Sequence, residues 1–311
     1  MSARITKRTH DADESATADA PPRSAPRRRI GTGPRGIVTA VQRSSNVRIG
    51  LLIVTALFMA GLLAPFLTPY SPTDIDLANT LQPPSAEHWL GTDELGRDQM
   101  SRLLFGARVS LVMGLLGVTI AASAGATLGL IAGYAGGFAD SLIMRAMDAI
   151  FAFPALLLAL LVISITGPGI TQVLIAFGIA GIPFYARLMR GMVLAIRQEE
   201  YVIAAEALGG SPARVILLHI LPNAMTPLII TTTMAMGLVI VGLASLGFLG
   251  LGAQPPTPEW GAMLSGSQSR FFTAPWLLLS PGIAIVMAVV GYALIGDGLR
   301  DFLDPRLREY R

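Results

Sequence analysis

The chain has 311 residues, of which 52% are hydrophobic and only 14% charged, with a mean hydropathy of +0.60. A soluble domain carries about 25% charge to wet its surface, so this composition excludes one and describes a membrane protein. Cysteine is absent and the one lysine, Lys7, lies near the N-terminus, which excludes disulfides, thiolate metal sites, thiol nucleophiles and a phosphate-cradling P-loop.

Residues 1–48 are rich in Ala, Ser, Pro and Arg, as in PPRSAPRRRIGTGPRG. They hold too little apolar area to offset their ordering entropy and read as a disordered basic tail. The first apolar run starts near Ile49, too late for a signal peptide. Arg27, Arg28 and Arg29 fit a cytoplasmic tail beside anionic lipid better than nucleic acid.

A bilayer core of about 30 Å needs about 20 apolar residues per helix. Six spans meet that need within 49–311: 49–67, 109–133, 149–166, 170–189, 227–252 and 276–296. The expected fold is all-α and polytopic. Gly167-Pro168-Gly169 makes a tight turn between the third and fourth spans. Gly125, Gly129, Gly133 and Gly137 form a column of small residues at helical spacing, where another helix can approach closely. Pro154 and Pro183 are expected to kink spans three and four.

With the N-terminus inside, only Arg97, Arg102, Arg108 and Arg270 of the 23 Lys and Arg residues lie outside. The positive-inside rule therefore puts both termini in the cytoplasm. Residues 109–139, 149–186, 215–258 and 271–296 contain no Asp, Glu, Lys or Arg. That weighs against a proton relay or a voltage sensor, while sodium coupling through carbonyls and hydroxyls stays open. The histidines, His10, His88 and His219, all fall outside the spans, and no span serine has a base partner visible in the sequence.

Between the first two spans, Asp93, Glu94, Arg97, Asp98 and Arg102 alternate in sign. They form either a gate or binding-protein contact, or, as preferred, a local ion-pair cluster that fixes the start of the second span. Glu259 in the other outer loop is a further candidate contact, and its neighbour Trp260 fits an interfacial anchor.

The inner connection at 190–226 is too long for a turn. Residues 199–208 favour helix, Gly209-Gly210 breaks it, Ser211 is a plausible N-cap, and Pro212 suits a first helical position. The second helix is expected to stop at about Leu221, before Pro222. A helix, glycine turn and helix would present an apolar knob to the cytoplasm, and such a patch calls for a partner. A chain that spans the membrane, lacks ion-coupling charges, cannot use ATP and offers a docking knob fits a pore subunit driven by a separate motor. A sodium-coupled carrier and a non-transporting structural subunit are the alternatives.

The knob resembles the EAA motif of binding-protein-dependent ABC importer permeases, a pattern of E-A-A followed by G and closing on I-x-L-P. Ala204, Ala205 and Gly209 match it, and Ile220-Leu221-Pro222-Asn223 supplies a close version of its end. HWLGTDELGRDQMSRLLFGARVSL at 88–111, FLGLGAQPPTPEWGAML at 248–264 and GDGLRDFLDPRLR at 296–308 are similar to landmarks of the C-type subunits of the dipeptide, oligopeptide and nickel group. The resemblance runs from about residue 49 to the C-terminus. It implies a type I importer permease that pairs with a second homologous permease as a heterodimer. Two ATPase domains, separate or fused, would carry the ATP and magnesium, and an external binding protein would deliver peptide. This chain itself would be neither an enzyme nor a cofactor carrier.

By the same resemblance, residues 199–223 form the ATPase-coupling loop. Ala204, Ala205, Gly209, Leu221 and Pro222 would set its shape, with Glu200, Tyr201, Glu206, Arg214 and Asn223 around them. The glutamate that names the motif falls on Ile203, so its charged contact does not carry over. The family pattern also has a glutamate where Leu243 stands and a serine where Gly247 stands; no membrane carboxylate role carries over there.

Overall fold

The computed structural model describes residues 44–303, so nearly all of the basic tail expected over 1–48 lies outside the described residues. Those residues form a helical bundle with no strand among them. Helix α1, Ser45–Leu62, starts where the Ser44 side chain accepts the Val47 N–H, and a short turn with Pro65 follows it. The next span begins earlier than its apolar run implies: α2 is Gln99–Ala135, 37 residues, with Arg102 and Arg108 inside the helix. At 1.5 Å per residue it is about 55 Å long, so about 17 of its residues exceed what a 30 Å core needs.

The third expected span, 149–166, is not one helix. Helix α3, Gly137–Phe151, and helix α4, Ala155–Thr166, meet at 86°. Pro154 has no N–H for the ladder and disfavours helical geometry at Phe153, which breaks the span instead of kinking it. Helix α4 has 12 residues, or about 18 Å, too short to cross alone. Pro183 behaves differently and sits inside an unbroken α5, Ile170–Arg197. After α6, Glu200–Ala207, the 37-residue Pro212–Phe248 forms α7. Short α8, Trp260–Ser267, precedes α9, Trp276–Leu303. The described residues thus hold five long apolar helices and one bent pair.

Helices α2 and α5 approach closely. A Cβ added at Gly125 would lie 2.5 Å from the Ile182 carbonyl oxygen, and one at Gly129 would lie 2.2 Å from that of Ala186. At Gly133 it would meet Val193 Cβ at 2.9 Å. Only backbone fits there. Gly137 leaves the column, because α2 has ended and its φ is +53° with nothing within 4 Å. The same device joins α1 to α9, where a Cβ at Gly50 would lie 2.5 Å from the Gly291 carbonyl. In lipid, helices associate by such packing and not by hydrophobic exclusion from water.

Gly129→Leu should therefore lower the thermal midpoint of the detergent-solubilised protein by an amount equivalent to about 1–3 kcal/mol or more. Gly191→Leu, also on α5 but with open space around its Cβ, is the control. Equal midpoints for the two variants would contradict a backbone-to-backbone seam.

Candidate functional site

Two places carry the residues singled out above. The first is the projection between α5 and α7. Gly209 follows α6 with φ +82°, a conformation that glycine adopts without a side-chain penalty. The Gly210 N–H returns to the Ala205 carbonyl at 3.0 Å, and the Ser211 hydroxyl accepts the Arg214 N–H at 3.4 Å. Pro212 then opens α7.

The expected stop before Pro222 is overturned: α7 continues to Phe248. Residues Ile216–Ile220 take a wider π turn, and the Leu221 N–H reaches back to the Ile216 carbonyl. In a regular helix the Pro222 ring would meet the carbonyl four residues back, and no proline N–H could bond to it. Widening the ladder just ahead of the proline lets the helix pass through.

The projection has a fixed root and an apolar tip. Val202, Val215 and Ile220 are buried, whereas Leu208 is 88% and Ile203 53% exposed. Glu200, Ala204, Gly209, Arg214 and Pro222 are exposed, and Tyr201, Ala205, Leu221 and Asn223 are half-buried. The Asn223 amide donates to the His219 carbonyl at 2.6 Å, and the Tyr201 ring lies 6.2 Å from that of His219. Glu206 is tied inward: the Tyr134 hydroxyl lies 3.4 Å and the Arg197 guanidinium 3.8 Å from its carboxylate. Arg197 also donates to the Tyr134 carbonyl at 2.8 Å and sits 4.7 Å from that ring's centre. The sequence pattern pointed to the turn but missed Leu208. That residue stands immediately before the glycine break, which was the available signal.

The second place is the far end of the bundle. Asp93 accepts Arg97 Nε at 2.7 Å, and Arg102 Nε lies 3.4 Å from the same oxygen. Asp98 caps α2 by accepting the Ser101 N–H at 2.7 Å and also contacts His88 Nδ1 at 2.9 Å. Glu94 reaches across to Arg270 at 2.9 Å. The expected cluster is thus limited to three charges, Asp93, Arg97 and Arg102, while Asp98 serves as cap and His88 partner and Glu94 is committed to the other loop.

Glu259 is 3% exposed, which leaves no surface for a partner. Its Oε1 accepts the Gly261 N–H at 2.8 Å and the Ser110 hydroxyl at 3.2 Å, and its Oε2 accepts the Ala262 N–H at 2.8 Å. It is the N-cap of α8, fastened to α2. Trp260 is no interfacial anchor: it is 1% exposed, and its indole N–H donates to the Leu103 carbonyl at 3.1 Å.

Burial raises the Glu259 carboxyl above its ordinary 4.5, outweighing the three hydrogen bonds that favour ionisation. The native state thus holds this proton more tightly than the unfolded chain does. Its contribution to stability is largest below 4.5 and falls as pH rises through the raised value. Thermal midpoints measured upward from pH 4 should show that decline in the wild type and lose it in Glu259→Gln. A decline of the same size in the variant would assign it to another group.

The chain matches the binding-protein-dependent transport system inner membrane component family over residues 125–309, and the N-terminal transmembrane domain of oligopeptide transport permease C over 44–84. It is 48% identical to the dipeptide transport system permease protein of Alkalihalophilus pseudofirmus across 84% of this chain and 86% of that one. The glutathione transport system permease protein of Pectobacterium atrosepticum is 44% identical, with 83% and 86% covered. For the di/tripeptide permease protein of Pseudomonas aeruginosa the figures are 44%, 83% and 88%. A chain of the MetNI methionine ABC transporter in an inward-facing conformation shares the fold at 17% identity and a TM-score of 0.53, covering 65% of this chain and 97% of that one. With both segments matched in order and close relatives along most of its length, the chain belongs to the binding-protein-dependent inner-membrane permeases of ABC importers, as a C-type member of the dipeptide and oligopeptide group.

Proposed function

We propose that this chain forms half of the translocation path of an ATP-driven importer of short peptides, with residues 199–223 docking on a separate ATPase. The observation that carries this reading is the projection itself, an apolar tip at Leu208 and Ile203 on a buried root. An exposed apolar tip of this kind implies a partner surface. Ile203 makes the contact apolar where the family pattern has a charge. Ala204, Ala205, Gly209, Leu221 and Pro222 shape the projection; Glu200, Tyr201, Arg214 and Asn223 border it, and Glu206 braces it.

Both termini and the projection lie in the cytoplasm, in keeping with the excess of Lys and Arg on those segments. A second homologous permease completes the path, and an external binding protein delivers the peptide. ATP and magnesium belong to the ATPase partner. This chain supplies the packed helices that switch between two arrangements when the motor closes. Each state is selected by how well the projection docks in it. Short peptides as cargo are supported by the relatives, whose names specify dipeptide, di/tripeptide and glutathione transport.

Purification in mild detergent, with mass spectrometry of the chains that accompany this one, is the direct test. A P-loop ATPase and a second permease are expected. Recovery of this chain alone, still driving sodium-dependent uptake in liposomes, would favour the carrier. Leu208→Asp should lose the ATPase while membrane insertion is retained. Gly209→Val should also abolish coupled transport without loss of insertion: a left-handed conformation costs a branched residue about 1–2 kcal/mol, yet no neighbour lies within 4 Å of the added Cβ. Transport at the wild-type rate in either variant would remove the docking assignment.

A further inference from the structure

A cavity of about 310 Å³ lies at the far end of the bundle, between the segment that leads into α2 and the helices α8 and α9. Asp93, Glu94, Arg97 and Arg102 line one side of it, and Thr257 and Gly266 lie among its other lining residues. The Arg97 and Arg102 side chains are only 15% and 10% exposed, and both bear on the same oxygen of Asp93. Arg97 uses only Nε there, and Arg102 adds one bond from Nη1 to the Pro72 carbonyl at 3.0 Å. Among the described residues no guanidinium nitrogen is both fully buried and unpartnered. The remaining N–H groups therefore open onto accessible space, and the cavity is the space that both side chains line.

Two nearly buried guanidinium groups sharing one carboxylate oxygen leave donors and positive charge that a second carboxylate would satisfy, as arginine forks do with planar anions. Acidic groups line the same space. Glu94 gives Oε1 to Arg270 at the rim, 2.9 Å away, and keeps a second oxygen. A small, half-open cavity with free guanidinium donors and a carboxylate nearby complements a zwitterion. Its volume falls at the lower end of small-ligand sites, about 300–1,000 Å³.

We propose that this cavity is a peptide-terminus site, in which Arg97 and Arg102 take the C-terminal carboxylate of a short peptide and Glu94 faces its ammonium group. The proposal rests on the peptide-permease reading and adds a place on this chain where cargo is held by its charged ends.

The test uses the full chain in lipid nanodiscs, with thermal unfolding followed against L-alanyl-L-alanine and against its C-terminal amide. The free dipeptide is expected to raise the midpoint, and the amide to have a much smaller effect. Arg97→Gln should raise the half-saturating concentration of dipeptide about tenfold or more, the equivalent of one lost charge-assisted contact. Gly266→Leu leaves every charge in place and adds a side chain where nothing lies within 4 Å of the Cβ. It should abolish the protection by filling the cavity, which covers the case in which Arg97→Gln fails to fold. Equal protection by dipeptide and amide, or full protection in Gly266→Leu, would overturn the proposal. Uptake of dialanine by the reconstituted importer separates this outcome from the broader one. Normal uptake with no protection rejects the cavity alone, whereas no uptake by the wild type rejects the peptide cargo itself.

Discussion

The backbone contact between α2 and α5 governs what the rest of the bundle can do. Gly125, Gly129 and Gly133 let the two helices meet with no α2 side chain between them, against Tyr185, Ala186, Met189 and Val193. Close approach of this kind permits little sliding, because any shift drives a Cβ or a carbonyl into the opposing backbone. The seam also sets the register of the charged groups at the end nearer the projection. Arg190 donates to both oxygens of Asp140 on α3 at 2.6 and 2.7 Å, and Arg187 reaches Asp148 at 2.7 Å. Helix α3 is thereby held across α5 before the chain bends by 86° into α4.

The same seam delivers Arg197 to the end of α2. There the guanidinium bonds to the Tyr134 carbonyl, covers the Tyr134 ring and faces Glu206 on the projection. One side chain thus joins α2, α5 and α6. Exposed ion pairs contribute little to stability, so the value of this contact is geometric. Together with buried Val202 and Val215 it makes the projection part of the α2–α5 unit and not a loose loop. On the other side the projection runs directly into α7 through the π turn, without a linker. The projection is therefore joined to two membrane helices, to α5 through Arg197 and to α7 through the π turn.

Apolar length and glycine spacing made the spans and the seam legible, since those signals are local. Three features were hidden because their causes are not local. The start of α2 at Gln99 lies in a charged stretch that reads as loop, and Asp98, His88 and the Asp93 cluster hold it as helix. Pro154 and Pro222 are both prolines in apolar runs, yet the first ends a helix and the second is passed. A π turn precedes Pro222, whereas Pro183 is passed without one, and no residue pattern announces the difference. The projection could be located from its Ala-rich helix and Gly209-Gly210, but which of its apolar residues stay exposed depends on what the bundle covers.

Glu259 marks the limit of reading residues one by one. An acid in a loop beside a tryptophan looks like surface, but its hydroxyl partner, Ser110, is 149 positions away in the chain. The space that admits it is made by glycines. A Cβ at Gly247 would lie 2.2 Å from Glu259 Oε2, and one at Gly261 would lie 2.3 Å from the Ala244 carbonyl. Gly252 packs against Gly247 in the same way, with 2.9 Å from its added Cβ to the Gly247 Cα. The loop after α7 can therefore fold back and seat α8 on α7 only with these small residues in place. A side chain at 247 would therefore require the Glu259 carboxylate to shift.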